Sequence, residues 1–181
     1  MNKRGPFDVH AETVVYKNEP WLSVIEYKLR TLSGHDARFS IVKAKASACV
    51  LPIDDHGNVY FLREYRFLID RYMYNSIGGY VDDGETPEDT IRKELQEEAG
   101  IIAGTLERLP QWFAIYDIVD KPNHCFIARN LSFCGASPEE TEDAKLISLP
   151  LDEALQWVKE GKIEAETLCL QLCWMKLFGG S

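Results

Sequence analysis

No apolar run in this 181-residue chain approaches the roughly 18 residues that a membrane-spanning helix needs, and residues 46–53 are typical of the longest. A secretory leader is not expected either, because the basic start at Lys3 and Arg4 has no apolar segment behind it. Positive charge is scarce: 20 Lys and Arg stand against 29 Asp and Glu, for a net charge of −9. A protein that grips DNA or RNA usually carries a basic stripe, so nucleic acid is not expected as the main partner. The five cysteines, Cys49, Cys125, Cys134, Cys169 and Cys173, include no CxxC pair and are odd in number. Neither a zinc site nor a disulfide frame is expected; Cys169 and Cys173, four apart in a helical pattern, read as small core residues in a reducing, cytoplasmic environment. Repeats, low-complexity tracts and long Gly/Ser linkers are missing too. What remains is an ordinary globular composition, 45% hydrophobic and 27% charged, at a length that suits one domain with a small addition.

The chain reads first as strands. Residues 11–32 and 39–53 are rich in β-branched and aromatic side chains. Asp54-Asp55-His56-Gly57-Asn58 is a turn signal, and residues 59–66 resume as a strand. Roughly the first 42 residues are expected to form a small separate β region, with residues 43–181 as the main domain. Thr86-Pro87-Glu88-Asp89 then provides a hydroxyl cap, Pro in the first helical position and an acid placed for a capping box. Gly100 stops that helix. Pro150 precedes a second helix ending at Gly161, and residues 165–178 form a third before Gly179-Gly180. Strands, a helix, more strands and then helices make an α+β fold with a mixed sheet, not a repeating βαβ series.

The informative stretch is Gly79 to Ile101. Ile91, Leu95 and Ala99 recur every four residues and form a core stripe. Glu94, Glu97 and Glu98 stand at i, i+3 and i+4, so all three leave one patch, about a quarter-turn from that stripe. Like charges so arranged repel one another. A hard cation cancels the repulsion, and carboxylates are the ligands that Mg²⁺ or Mn²⁺ prefers. Three glutamates alone would more often be a solvated acidic face, but the surrounding pattern reverses that.

Gly79, Glu85 six residues on, and then Lys93-Glu94-Leu95, Glu97-Glu98 and Gly100-Ile101 resemble the Nudix box, GX5EX7REUXEEXGU with U aliphatic. One fixed position departs: Lys93 stands where the box has Arg. The resemblance implies an α/β/α sandwich with a mixed sheet, in which Glu94, Glu97 and Glu98 hold Mg²⁺ (or Mn²⁺) against a substrate diphosphate. The carbonyl of Gly78 is a further implied ligand, Gly79 lies at the substrate, and Glu98 is central to catalysis. Lys93 offers a point charge in place of a planar fork, so weaker alignment of the carboxylates is expected.

Two flanking segments resemble the branch that hydrolyses ADP-ribose and nucleotide sugars. Arg63-Glu64-Tyr65-Arg66 is similar to its EQ(Y/F)R stretch, and Arg66 is the candidate for a phosphate. Glu140-Thr141-Glu142-Asp143 is similar to its acidic loop, where a glutamate completes the metal site or serves as general base. Glu142 is the first choice for that role and Glu140 the second. The Pro that such ADP-ribose enzymes carry about fifteen residues past the box is missing; Tyr116 or Trp112 is the candidate to stack on a base or sugar. The resemblance thus implies hydrolysis of a nucleoside diphosphate sugar, ADP-ribose or a hexose nucleotide such as GDP-mannose, by a homodimer whose first 42 residues pair between subunits. Triphosphates, dinucleoside polyphosphates and a binding module without catalysis remain as alternatives.

Overall fold

A computed structural model describes residues 2–135 and 143–179. The elements run β1 (Asn2–Arg4), β2 (Phe7–Asn18), β3 (Leu22–Arg30), β4 (Asp36–Ala44), β5 (Ser47–Pro52), β6 (Asn58–Arg66), β7 (Arg71–Asn75) and β8 (Ile77–Tyr80). They continue as α1 (Pro87–Ala99), β9 (Ile101–Arg108), β10 (Val119–Asp120), β11 (Asn123–Phe133), β12 (Ala144–Pro150), α2 (Leu151–Lys159) and α3 (Glu166–Phe178). No helix among the described residues is long and apolar enough to cross a membrane.

The chain divides into two compact units. The first comprises Met1–Ala46 and Trp112–Pro122, the second Ser47–Gln111 and Asn123–Ser181. In the first unit the strands lie in the order β1-β2-β3-β4-β10, antiparallel except that β10 runs parallel to β4. Two register shifts, between Val9 and Ala11 and between Val14 and Tyr16, let β2 bend along β3. Residues 112–122, expected within the main domain, belong instead to this first unit. The expected continuous strand over 39–53 is two strands in two sheets, interrupted at Lys45-Ala46. Nothing in Lys43-Ala44-Lys45-Ala46-Ser47 breaks a strand chemically. The interruption is tertiary: as far as Lys45 the backbone stays on β3, the Lys45 amide donating to the Trp21 carbonyl at 2.9 Å, and from Ser47 it pairs with β8 and β11 instead.

The second unit carries a mixed sheet, β8-β5-β11-β9, in which β5 and β11 are parallel and both outer pairings antiparallel. An antiparallel sheet, β12-β6-β7, accompanies it. Alternation along the strands sorts the mixed sheet's two faces. Ala48 and Val50 of β5, Phe126 and Ala128 of β11, Ala103 of β9 and Ile77 of β8 form one cluster with Ile91, Leu95 and Ala99 of α1. The other face meets α3, whose Gln171 donates to the Phe126 carbonyl at 3.0 Å and lies 4.0 Å from the Cys49 sulfur. This is the helix–sheet–helix sandwich of an α+β protein, with the apolar stripe of α1 buried as its four-residue spacing requires.

The ends of α1 follow from local chemistry. The Thr86 hydroxyl accepts from the Asp89 amide at 3.2 Å while the Asp89 carboxylate accepts from the Thr86 amide at 3.3 Å. That carboxyl is held below its usual range by the Thr86 donors. Gly100 ends the helix with φ of 61°, a left-handed conformation that costs glycine little. Because Leu95 is fully buried between α1 and the sheet, Leu95→Ala is expected to cost about 2–5 kcal/mol of stability, read from urea denaturation.

Candidate functional site

The acidic face of α1 lies along β8. Glu94, Glu97 and Glu98 are all half-buried, in keeping with a position at the rim of the helix's buried stripe. Glu98 accepts from the Gly78 amide at 3.3 Å, which ties the last turn of α1 to the strand. Glu94 lies directly over Gly79. A Cβ built there would come within 2.0 Å of the Glu94 carboxylate oxygen, so only glycine leaves the carboxylate its place. Gly78 is confined more severely: its φ is 154°, and a Cβ would fall 2.2 Å from the Ala48 carbonyl oxygen and 2.7 Å from the Cys49 Cα. Two consecutive glycines therefore allow β8 to press against β5 on one side and to receive two carboxylates on another.

Supporting contacts hold this face in register. The Thr90 hydroxyl donates to Glu85 at 3.2 Å, joining the glutamate at the second fixed position of the pattern to the first turn of α1. Arg92 donates to the Ala103 carbonyl at 3.0 Å and so fastens the helix to β9. Lys93, the departure from the pattern, is exposed. Neither Thr90 nor Arg92 stands out in the sequence. The capping pattern hints at the first, but the second depends on the sheet partner.

The other expected residues are distributed as follows. Gly78, Gly79, Glu94 and Glu98 come together, with Glu97 on the same helix face. Arg66 ends β6, and its guanidinium pairs with Glu64. Arg63, its neighbour in the same segment, sits 3.8 Å over the Tyr72 ring, and the Tyr72 hydroxyl donates to Asp143. That contact ties Asp143, the last residue of the acidic segment, to β7. Glu140 and Glu142 themselves lie outside the described residues. Tyr116 belongs to the first unit, where it is mostly exposed and lines a cavity of about 650 Å³ with Arg4, Tyr27, Phe39, Phe113 and Ile118.

In donor chemistry the α1 group suits a hard divalent cation, since every candidate ligand is a carboxylate or a carbonyl oxygen. Glycine at 79 leaves room for the Glu94 oxygen that a side chain would displace. Among the described residues no three His, Cys, Asp or Glu side chains are already gathered into a cage. The carboxylates are aligned on one face rather than converged on one point.

A profile of the NUDIX domain matches residues 43–168. The chain belongs to the Nudix family. One relative, the CMP-5'-(N-acetyl-N-hydroxy-3-aminopropyl)phosphonate hydrolase of Streptomyces rubellomurinus, is 26% identical over 170 residues, 94% of this chain and 82% of that protein. The ADP-ribose pyrophosphatase of Bacillus subtilis is 27% identical over 133 residues, 72% of each chain. A crystal structure described as an ADP compounds hydrolase superposes with a TM-score of 0.79 over 97% of both chains at 18% identity, a likeness of fold. Other relatives, from Bacillus subtilis and Escherichia coli among them, are named as ADP-ribose pyrophosphatases. Nudix hydrolases generally use divalent metal ions.

The two glycines of β8 separate fold from site. Gly78→Ala forces a Cβ into backbone and is expected to cost roughly 1–3 kcal/mol of stability. Gly79→Ala meets only the end of a flexible side chain, so the expected change is within about 0.5 kcal/mol while the Glu94 carboxylate is displaced. Urea midpoints for the two variants check the contrast.

Proposed function

We propose that this protein is a metal-dependent hydrolase that splits the diphosphate linkage of a nucleoside diphosphate sugar, with ADP-ribose or a hexose nucleotide such as GDP-mannose as substrate. The observation that carries the reading is the acidic face of α1, held against the Gly78-Gly79 strand by Glu94 and Glu98. Membership of the Nudix family and the recurrence of ADP-ribose pyrophosphatases among the relatives support it.

Glu94, Glu97, Glu98 and the Gly78 carbonyl are the groups that would hold Mg²⁺ or Mn²⁺. When bound, such a cation supplies positive charge to the diphosphate and makes the attacking water more acidic. Glu142, or Glu140 in its place, would take the water's proton in the pH range where carboxylates are ionised. Arg66 is the candidate to orient a phosphate, for which its present partner Glu64 must release it. Tyr116 is the candidate to stack on a base or sugar. The products would be a nucleoside monophosphate and a sugar phosphate. A cytoplasmic homodimer, paired through the strand-rich first unit, completes the proposal.

One observation favours a second substrate class. The relative from Streptomyces rubellomurinus is named for a CMP-linked phosphonate and is aligned over more of this chain than the Bacillus subtilis enzyme. A nucleoside monophosphate joined to a phosphonate presents a similar phosphorus–oxygen–phosphorus bridge to the same carboxylates.

A panel of nucleoside diphosphate sugars and one CMP-linked phosphonate, assayed with Mg²⁺, tests the reading by its products. AMP with ribose 5-phosphate, or another monophosphate with a hexose phosphate, is expected. No turnover across the panel, with pyrophosphate released from nucleoside triphosphates assayed beside it, would overturn it in favour of triphosphate substrates. Glu98→Gln is expected to lower kcat by at least a hundredfold, about 2.7 kcal/mol of barrier, with the fold intact. Near-normal turnover of that variant at saturating Mg²⁺ would remove Glu98 from the mechanism. Chelation of divalent ions is expected to abolish turnover, and added Mg²⁺ or Mn²⁺ to restore it.

A further inference from the structure

On the face of the mixed sheet opposite α1, β5 and β11 bring two thiols together. Cys49 and Cys125 are direct partners in the parallel register, and the Cys49 S–H donates to the Cys125 sulfur at 3.5 Å. Polar groups surround the pair. Cys49 also lies 3.8 Å from the Asn123 side-chain oxygen and 4.0 Å from the Gln171 amide nitrogen, and the Ser76 hydroxyl donates to Gln171. Across β5 on its other edge, Cys49 is the register partner of Gly78, with no room between the strands for even a Cβ. The pair is therefore one strand away from the backbone that receives Glu98.

We propose that Cys49 and Cys125 form a two-cysteine modification site which a peroxide closes to a disulfide, and that closure disturbs the Gly78-Gly79 strand. Cys49 is half-buried and Cys125 is buried, so Cys49 meets the oxidant first. Its thiolate attacks one oxygen of hydrogen peroxide and the O–O bond breaks. The departing hydroxide takes up a proton as water, leaving Cys49 as a sulfenic acid. The Cys125 thiolate then attacks the Cys49 sulfur, the S–O bond breaks, and a second water leaves. Both sulfurs are oxidised, both peroxide oxygens are reduced, and the two thiol protons end in the two waters.

The consequence for β8 follows from where Cys49 sits. The two sulfurs, 3.5 Å apart as thiols, must close to about 2.05 Å with a torsion near ±90° about the new bond. Part of that movement falls on the Cys49 backbone, whose Cα lies where Gly78 already has no free space. The Gly78 amide that Glu98 accepts from is the group displaced.

The test uses the full chain carrying Cys134→Ser and Cys173→Ser, which removes the two exposed thiols. After brief hydrogen peroxide treatment and alkylation, peptide mass analysis is expected to find Cys49 linked to Cys125, with two fewer titratable thiols and full reversal by dithiothreitol. Amide exchange over Ile77–Tyr80 is expected to become severalfold faster in the oxidised form. A further Cys125→Ala change, with its melting temperature checked against the parent, is expected to leave exchange there unaltered by peroxide. The proposal is overturned if both thiols stay alkylatable, if Cys49 passes to a sulfinic acid while Cys125 stays reduced, or if the disulfide forms with Ile77–Tyr80 exchange unchanged. Because exchange needs no substrate, this outcome is independent of whether the hydrolase reading holds.

Discussion

The organisation of the second unit depends on how closely a helix can lie along a strand. α1 buries Ile91, Leu95 and Ala99 in the sheet, and that burial fixes the height and rotation at which its acidic side meets β8. Glycine at 79 leaves the Glu94 carboxylate its place, and glycine at 78 lets the same strand press against β5. Apolar burial thus stabilises an arrangement that electrostatics alone resists, since neighbouring carboxylates on one helix repel. The acidic group is positioned by the same packing that holds the sandwich together, and a change in the core reaches it through the helix.

Local patterns were legible where their cause was local. The limits of α1 follow from Thr86, Pro87, Asp89 and Gly100, and its buried face from a four-residue spacing, all within one short segment. The Glu94–Glu98 patch follows from the same helical geometry, and the spacing of the fixed residues identified the family. Contacts decided across the chain were not legible. Arg92 reaching the Ala103 carbonyl, Tyr72 reaching Asp143, and Cys49 meeting Cys125 each depend on which strands become neighbours. No periodicity in one stretch encodes the pairing of β5 with β11, 76 residues away.

The break at Lys45-Ala46 shows a different limit. The segment keeps strand character on both sides, so hydrophobic and β-branched content reads as one run. Its two halves join different sheets because the first pairs with β3 and the second with β8 and β11, a long-range choice that no turn residue announces. Tyr116 makes the same point. Its aromatic ring suggests a stacking role, yet its neighbours Tyr27 and Phe39 come from the sheet that opens the chain rather than from the adjoining sequence.

That neighbourhood has a covalent consequence. The polypeptide enters the first unit twice, once at its beginning and again through Trp112–Pro122, whose β10 completes the five-stranded sheet beside β4. Excising the opening 46 residues would not yield a clean catalytic fragment. It would strand Phe113, Ile115, Tyr116 and Ile118 as a greasy tether between β9 and β11, so the smaller unit and its return segment must be inherited, expressed or deleted as one piece.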